Sequence, residues 1–100
     1  MHRKKDALSA DSRKYLLDAM TLTGTGANRI KAALPAKATL AHKTGTMPGT
    51  VNDVGIITSP SGRHHIVIAI LTKAGRKSTL EQREAVIADI ARAVYAAFTK

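Results

Sequence analysis

Cysteine is absent from these 100 residues, so neither a disulfide framework nor a thiolate metal site can form. Tryptophan is absent too, and only Tyr15, Tyr95 and Phe98 carry aromatic rings. That is too few for a platform on which the bases of a single strand could stack. No apolar run approaches the roughly 20 residues that cross a bilayer. Acidic side chains are also scarce, 7 against 16 Lys and Arg, which leaves a net charge of +9. The cations are scattered, at Arg3, Lys4, Lys5, Arg13, Lys14, Lys31, Lys37, Arg63, Lys73, Arg76 and Lys77 among others. No helix-turn-helix, zinc-finger or ribonucleoprotein pattern accompanies them, so a solvated basic surface is expected and no nucleic-acid partner. Residues 1–5 are basic but lead into Asp6-Ala7-Leu8 and not into an apolar signal core.

What is present suits one small globular domain over residues 1–100, with 44% hydrophobic and 23% charged residues. Ser9 is placed to cap a helix, with Asp11 near its positive end and Leu16, Leu17 and Met20 as an apolar stripe. The Gly- and Thr-rich stretch 21–26 ends that helix, residues 28–34 can make two helical turns, and Pro35 stops them. Strands are expected at 39–46, 51–58 and 64–71. The turns Met47-Pro48-Gly49-Thr50 and Ser59-Pro60-Ser61-Gly62 join them. Links this short imply an antiparallel meander. Ser78-Thr79-Leu80-Glu81 reads as a capping box opening a helix of about twenty residues, with Val86, Ile87, Ile90, Val94 and Phe98 at helical spacing.

The third strand, Ile66-Val67-Ile68-Ala69-Ile70-Leu71, is apolar on both faces, as central strands are. Here it would be last in the sheet, with an unpaired outer edge. More polypeptide is therefore expected beside it.

Lys43-Thr44-Gly45-Thr46 is the segment richest in chemistry. A cation, two hydroxyls and a bare backbone on one strand at a sheet edge suit a substrate bearing a carboxylate. The tetrapeptide resembles the Lys-Thr-Gly motif of the penicillin-recognising serine enzymes. The resemblance extends from residue 8 to about residue 98. It takes in the helix near Leu8-Ser9, the loop Thr23-Gly24-Thr25-Gly26, the turn Arg29-Ile30-Lys31-Ala32-Ala33-Leu34-Pro35, Asn52-Asp53 and the C-terminal helix. In this order the features look like the C-terminal third of a class A β-lactamase.

The resemblance implies an α+β architecture, a partial β-lactamase/transpeptidase-like fold. Its three-stranded antiparallel meander would be flanked by N-terminal helices and a long C-terminal helix. Two N-terminal strands and most of an all-α subdomain would lie outside these residues. It also implies roles. Lys43 would supply positive potential and help proton transfer, and Thr44 would bind the substrate carboxylate beside Gly45. Thr46 would lend its N–H to the oxyanion hole. Arg29 would grip the carboxylate with its guanidinium fork, because Val51 stands where many relatives carry that arginine. Lys43 and Thr46 are thus the catalytic candidates, and Arg29, Thr44, Gly45 and Thr46 the substrate-binding ones. His42 reads as a strand histidine and Asp53 as a structural partner. No metal or cofactor is implied.

Neither Ser-x-x-Lys nor Ser-Asp-Asn occurs, nor does Glu-x-x-x-Asn. Nucleophile, general base and hydrolytic glutamate would have to come from outside this segment, along with any export signal of a periplasmic or secreted enzyme. The 100 residues alone should be inactive. Two alternatives stand beside this reading, a fragment of a D-Ala-D-Ala peptidase or transpeptidase and a catalytically inert truncated protein.

Overall fold

A computed structural model of the chain describes residues 7–73 and 77–100. The basic residues 1–5 and Arg76 lie outside the described residues. Helix α1 (Ala10–Thr21) leads through a loop to a 3₁₀ turn (Ile30–Ala33). Strands β1 (Thr39–Met47), β2 (Thr50–Thr58) and β3 (His65–Lys73) follow, and helix α2 (Leu80–Phe98) closes the chain. The strands form one antiparallel sheet in the order β1-β2-β3. This is the expected α+β meander, with β1 on an edge. No helix among the described residues is long and apolar enough to cross a membrane.

The two turns act as their chemistry dictates, with Gly49 and Gly62 both at positive φ (76° and 75°). Between Met47 and Thr50 only two residues remain, so Met47 and Thr50 form the narrow, mutually hydrogen-bonded pair of a tight hairpin. Pairs alternate along the ladder from there. Gly45–Asn52 and Lys43–Val54 bond across it, whereas Thr46, Thr44 and His42 aim their N–H and C=O groups away from β2, at the free edge. Two bonds agree with that parity. Thr23 Oγ1 donates to the His42 carbonyl (2.9 Å), and Lys43 Nζ reaches the Thr44 carbonyl.

One face of the sheet is dry. Leu40, Val51, Ile57, Ile66, Ile68 and Ile70 pack there against Ile30, Ile87 and Ala91. The buried stripe of α2 is Glu84, Ile87, Ala88 and Ala91, at spacings of three and four. Val86, Ile90 and Phe98, expected on that stripe, are exposed because they lie off the line facing the sheet. The N-cap of α2 is Thr79, whose hydroxyl accepts from Gln82 N–H while Gln82 returns a bond to Thr79 N–H. The capping box therefore lies one residue later than the sequence suggested, which leaves Glu81 in the first turn.

Two further expectations are modified. Ser9 caps α1 as predicted, yet no residue of α1 is buried. Leu16 and Tyr15 face outward because α1 rests chiefly against the β1 side of the sheet's second face. The turn before β1 holds four residues of 3₁₀ helix and not two α-helical turns. On β3, burial alternates strictly, and Val67 and Leu71 are 82% and 71% exposed. Nothing among the described residues covers Val67 and Leu71 on that second face or pairs with the outer edge of β3.

Candidate functional site

Lys43, Thr44, Gly45 and Thr46 line the free edge of β1. The pleat sends the Thr44 and Thr46 side chains to the α2 face and the Lys43 side chain to the other, with its ammonium curling back to the Thr44 carbonyl at the rim. The outward parity of Thr44 and Thr46 leaves both their amides pointing off the sheet. A methyl placed on Gly45 would meet only Asn52, at ordinary contact distance (3.6 Å), so packing within these residues does not demand glycine there.

The loop between α1 and the 3₁₀ turn folds over this strand. Thr25 Oγ1 lies 2.7 Å from Thr44 Oγ1, pairing two hydroxyls at the rim. Gly26, at φ 79°, allows the close approach. A Cβ there would strike the Thr44 methyl and lie 3.3 Å from His42 Cε1. Thr25 was not singled out from the sequence, because nothing local marks a loop threonine as the neighbour of a strand 19 residues later.

Arg29 stands at the start of the 3₁₀ turn, 4% exposed. Its Nε donates to Glu84 Oε2 (3.0 Å), one terminal nitrogen to the Gly45 and Asn52 carbonyls (3.1 and 2.9 Å), and the other to Thr46 Oγ1 (2.6 Å). Four of five N–H groups are thus engaged within the protein. In this arrangement Arg29 fastens β1, β2 and α2 together and holds the Thr46 hydroxyl, which leaves one N–H of the fork uncommitted among the described residues. Its partner Glu84 was also missed. The available signal was a carboxylate on the buried stripe of α2.

Behind the motif lies a buried pair. His42 Nδ1 is 2.8 Å from Asp53 Oδ1, at 2% and 0% side-chain exposure, and Asp53 Oδ2 accepts the Ile30 N–H (3.3 Å). Burial pushes the Asp53 carboxyl above its ordinary value. The His42 bond, the Ile30 N–H and the Arg29 charge oppose that rise.

Lys43–Thr46 faces open solvent. A hollow of about 280 Å³ sits at the base of β1, lined by Thr21, Thr23, Leu34, Thr39 and His42 among others. The motif is therefore one wall, with no opposing wall among the described residues. No group of three or more His, Asp or Glu residues converges there to hold a metal.

Residues 2–98 match the model of the β-lactamase enzyme family. The chain is 37% identical over 97 residues to β-lactamase VEB-1 of Pseudomonas aeruginosa, covering 91% of this chain and 32% of that protein. It is 42% identical over 88 residues to the carbapenem-hydrolysing β-lactamase KPC of Klebsiella oxytoca, covering 86% and 29% respectively. A crystal structure of the TLA-1 extended-spectrum β-lactamase superposes with a TM-score of 0.88 at 36% identity, over 97% of this chain and 37% of that one. The chain thus spans about a third of the length of these relatives. Motif, meander and relatives agree, and the chain belongs to the class A serine β-lactamase family.

Proposed function

We propose that these residues form the substrate-binding wall of an exported serine β-lactamase whose nucleophile lies elsewhere in the enzyme. The observation that carries this reading is the outward parity of β1. It presents the Thr46 N–H, the Lys43 ammonium and the Thr25–Thr44 hydroxyl pair along one open rim. A β-lactam laid antiparallel to that rim would direct its carboxylate to the two hydroxyls. Its carbonyl oxygen would meet the Thr46 N–H, with a second donor from the segment bearing the serine. As the serine oxygen gives its proton to a base outside these residues and bonds to the lactam carbon, negative charge grows on the lactam carbonyl oxygen, where a fixed donor is worth about 10²–10³ in rate. The lactam C–N bond then breaks, the nitrogen takes a proton, and water releases the acid. Lys43 would stabilise the anionic substrate and the proton transfer. Arg29 would act through Thr46, by its charge and its one uncommitted N–H.

A polypeptide outside the 100 residues would supply the opposing wall, Ser-x-x-Lys and the strands completing the sheet beside β3. The test grafts residues 7–98 into a class A relative in place of its own segment. The chimera should hydrolyse nitrocefin, and Lys43→Ala should lower kcat/KM by about 10²-fold. The ungrafted chain should show no turnover. A folded chimera indifferent to Lys43→Ala, or turnover by the chain alone, refutes the reading.

A further inference from the structure

The His42–Asp53 pair takes no part in the chemistry just described, yet it is the most completely buried polar contact at the site. His42 comes directly before Lys43, and its side chain faces inward beneath the loop. The fold makes room for it. Gly55 stands opposite His42 in the register, and a Cβ there would lie 2.8 Å from His42 Cβ and collide with the Ala41 carbonyl. Asp53 is the diagonal neighbour two pairs further along, within reach of a long side chain.

Two hydrogen bonds leave this pair for two different segments, and the imidazole edge lies close to a third. The His42 carbonyl receives the Thr23 hydroxyl at the start of the loop. Asp53 Oδ2 receives the Ile30 N–H, which pins the 3₁₀ turn and with it Arg29. The imidazole edge lies 3.3 Å from where a Cβ on Gly26 would stand, and the Gly26 carbonyl accepts the Arg29 N–H (3.0 Å). Thr25 lies between these anchors, and its hydroxyl meets Thr44. Because Ile30 N–H needs an acceptor at Oδ2, an ionised Asp53 also accepts at Oδ1, and Nδ1 is then the ring nitrogen that carries the hydrogen.

We propose that His42 and Asp53 are positioning residues that set the Thr25–Thr44 hydroxyl pair, by clamping the loop and the 3₁₀ turn onto β1. This inference rests on the reading of those hydroxyls as the carboxylate site. The charged groups around the pair are Arg29 and Lys31 from the turn and Glu84 from α2, already bound to Arg29. The Lys43 side chain leaves on the opposite face. The pair is therefore the group whose ionisation the loop registers.

The test is NMR on the full, isotopically labelled chain. The Nδ1 hydrogen of His42 should be visible, and the Thr25 and Thr44 signals should shift with pH in one common step. Asp53→Asn keeps one acceptor oxygen only, and while the Nδ1 hydrogen of His42 still takes it, the amide NH₂ is set against the Ile30 N–H. It should abolish that step and speed Ile30 amide exchange about tenfold, as expected for a lost buried hydrogen bond. His42→Asn places an amide nitrogen near the Nδ1 position and should keep Thr25 and Thr44 as they are, whereas His42→Leu should displace them. If His42→Leu does not fold, the titration of the unaltered chain and Asp53→Asn decide. Thr25 and Thr44 signals indifferent to pH and to Asp53→Asn overturn the proposal. Benzylpenicillin then separates the two readings. If Thr44 responds to the pair but not to added penicillin, the positioning stands and the carboxylate site falls.

Discussion

Replacing Glu84 by alanine should expose how much of the fold hangs on one buried ion pair. Glu84 holds Arg29 at 3.0 Å with side-chain exposures of 12% and 5%. Removing one partner of such a pair costs about 3–5 kcal/mol, because the other is left desolvated and unmatched. Arg29 keeps its bonds to Gly45, Asn52 and Thr46, and Glu84 is not wholly buried, so the low end, about 3 kcal/mol, is expected. For a domain of this size that lowers Tm by about 12–24 °C. Urea unfolding followed by circular dichroism measures it, with trimethylamine N-oxide added to strengthen burial because Val67 and Leu71 on β3 are exposed. Asp89→Ala, at the exposed pair with Arg92, is the control and should cost under about 0.5 kcal/mol. The double variant Arg29→Ala/Glu84→Ala should be less damaged than the sum of its parts by about 1–3 kcal/mol. Additive losses, or a Glu84→Ala no weaker than the control, would refute the assignment of this pair as a structural clip.

Three further outcomes follow from the same geometry. Gly55→Ala forces a methyl into the Ala41 carbonyl and His42 and should cost about 1–3 kcal/mol in the same urea assay. Thr79→Ala removes the N-cap of α2 and should cost about 1 kcal/mol. Burial holds the Asp53 carboxyl above 3.8, so the folded chain keeps that proton more tightly than the unfolded one. Its contribution is therefore most favourable below 3.8 and is lost as pH climbs through the raised value. Relative to Asp53→Asn, the unaltered chain should lose stability as pH rises from about 4 through the raised value, and parallel pH profiles would contradict this.

The strands could be read from the sequence because their ends are written in local chemistry. Pro48-Gly49 and Pro60-Ser61-Gly62 admit little but turns, and the apolar runs between them have strand length. The long-range polar contacts could not be read so directly. Arg29 meets a carboxylate 55 residues away, and only the three- and four-residue spacing of Glu84 with Ile87, Ala88 and Ala91 hinted at it. His42 alternates with Leu40, and Asp53 with Val51 and Ile57, so both already sat on the dry face by parity. The apolar residues of α1 misled for a different reason. An amphipathic pattern announces a face to be covered, and β1 covers it only in part: Leu17 and Met20 are half-buried while Leu16 stays exposed. Val67 and Leu71 carry the same message.

The two-residue hairpin at Pro48-Gly49 has a consequence for how this segment can vary. Adding or deleting one residue there would exchange inward and outward amides along the whole of β1, unless a bulge absorbed the slip. Gly45 and Lys43 would then offer their N–H groups to an approaching molecule, while Thr46 turned its own back into the sheet. Such single-residue indels should silence the rim even when every side chain of the motif survives.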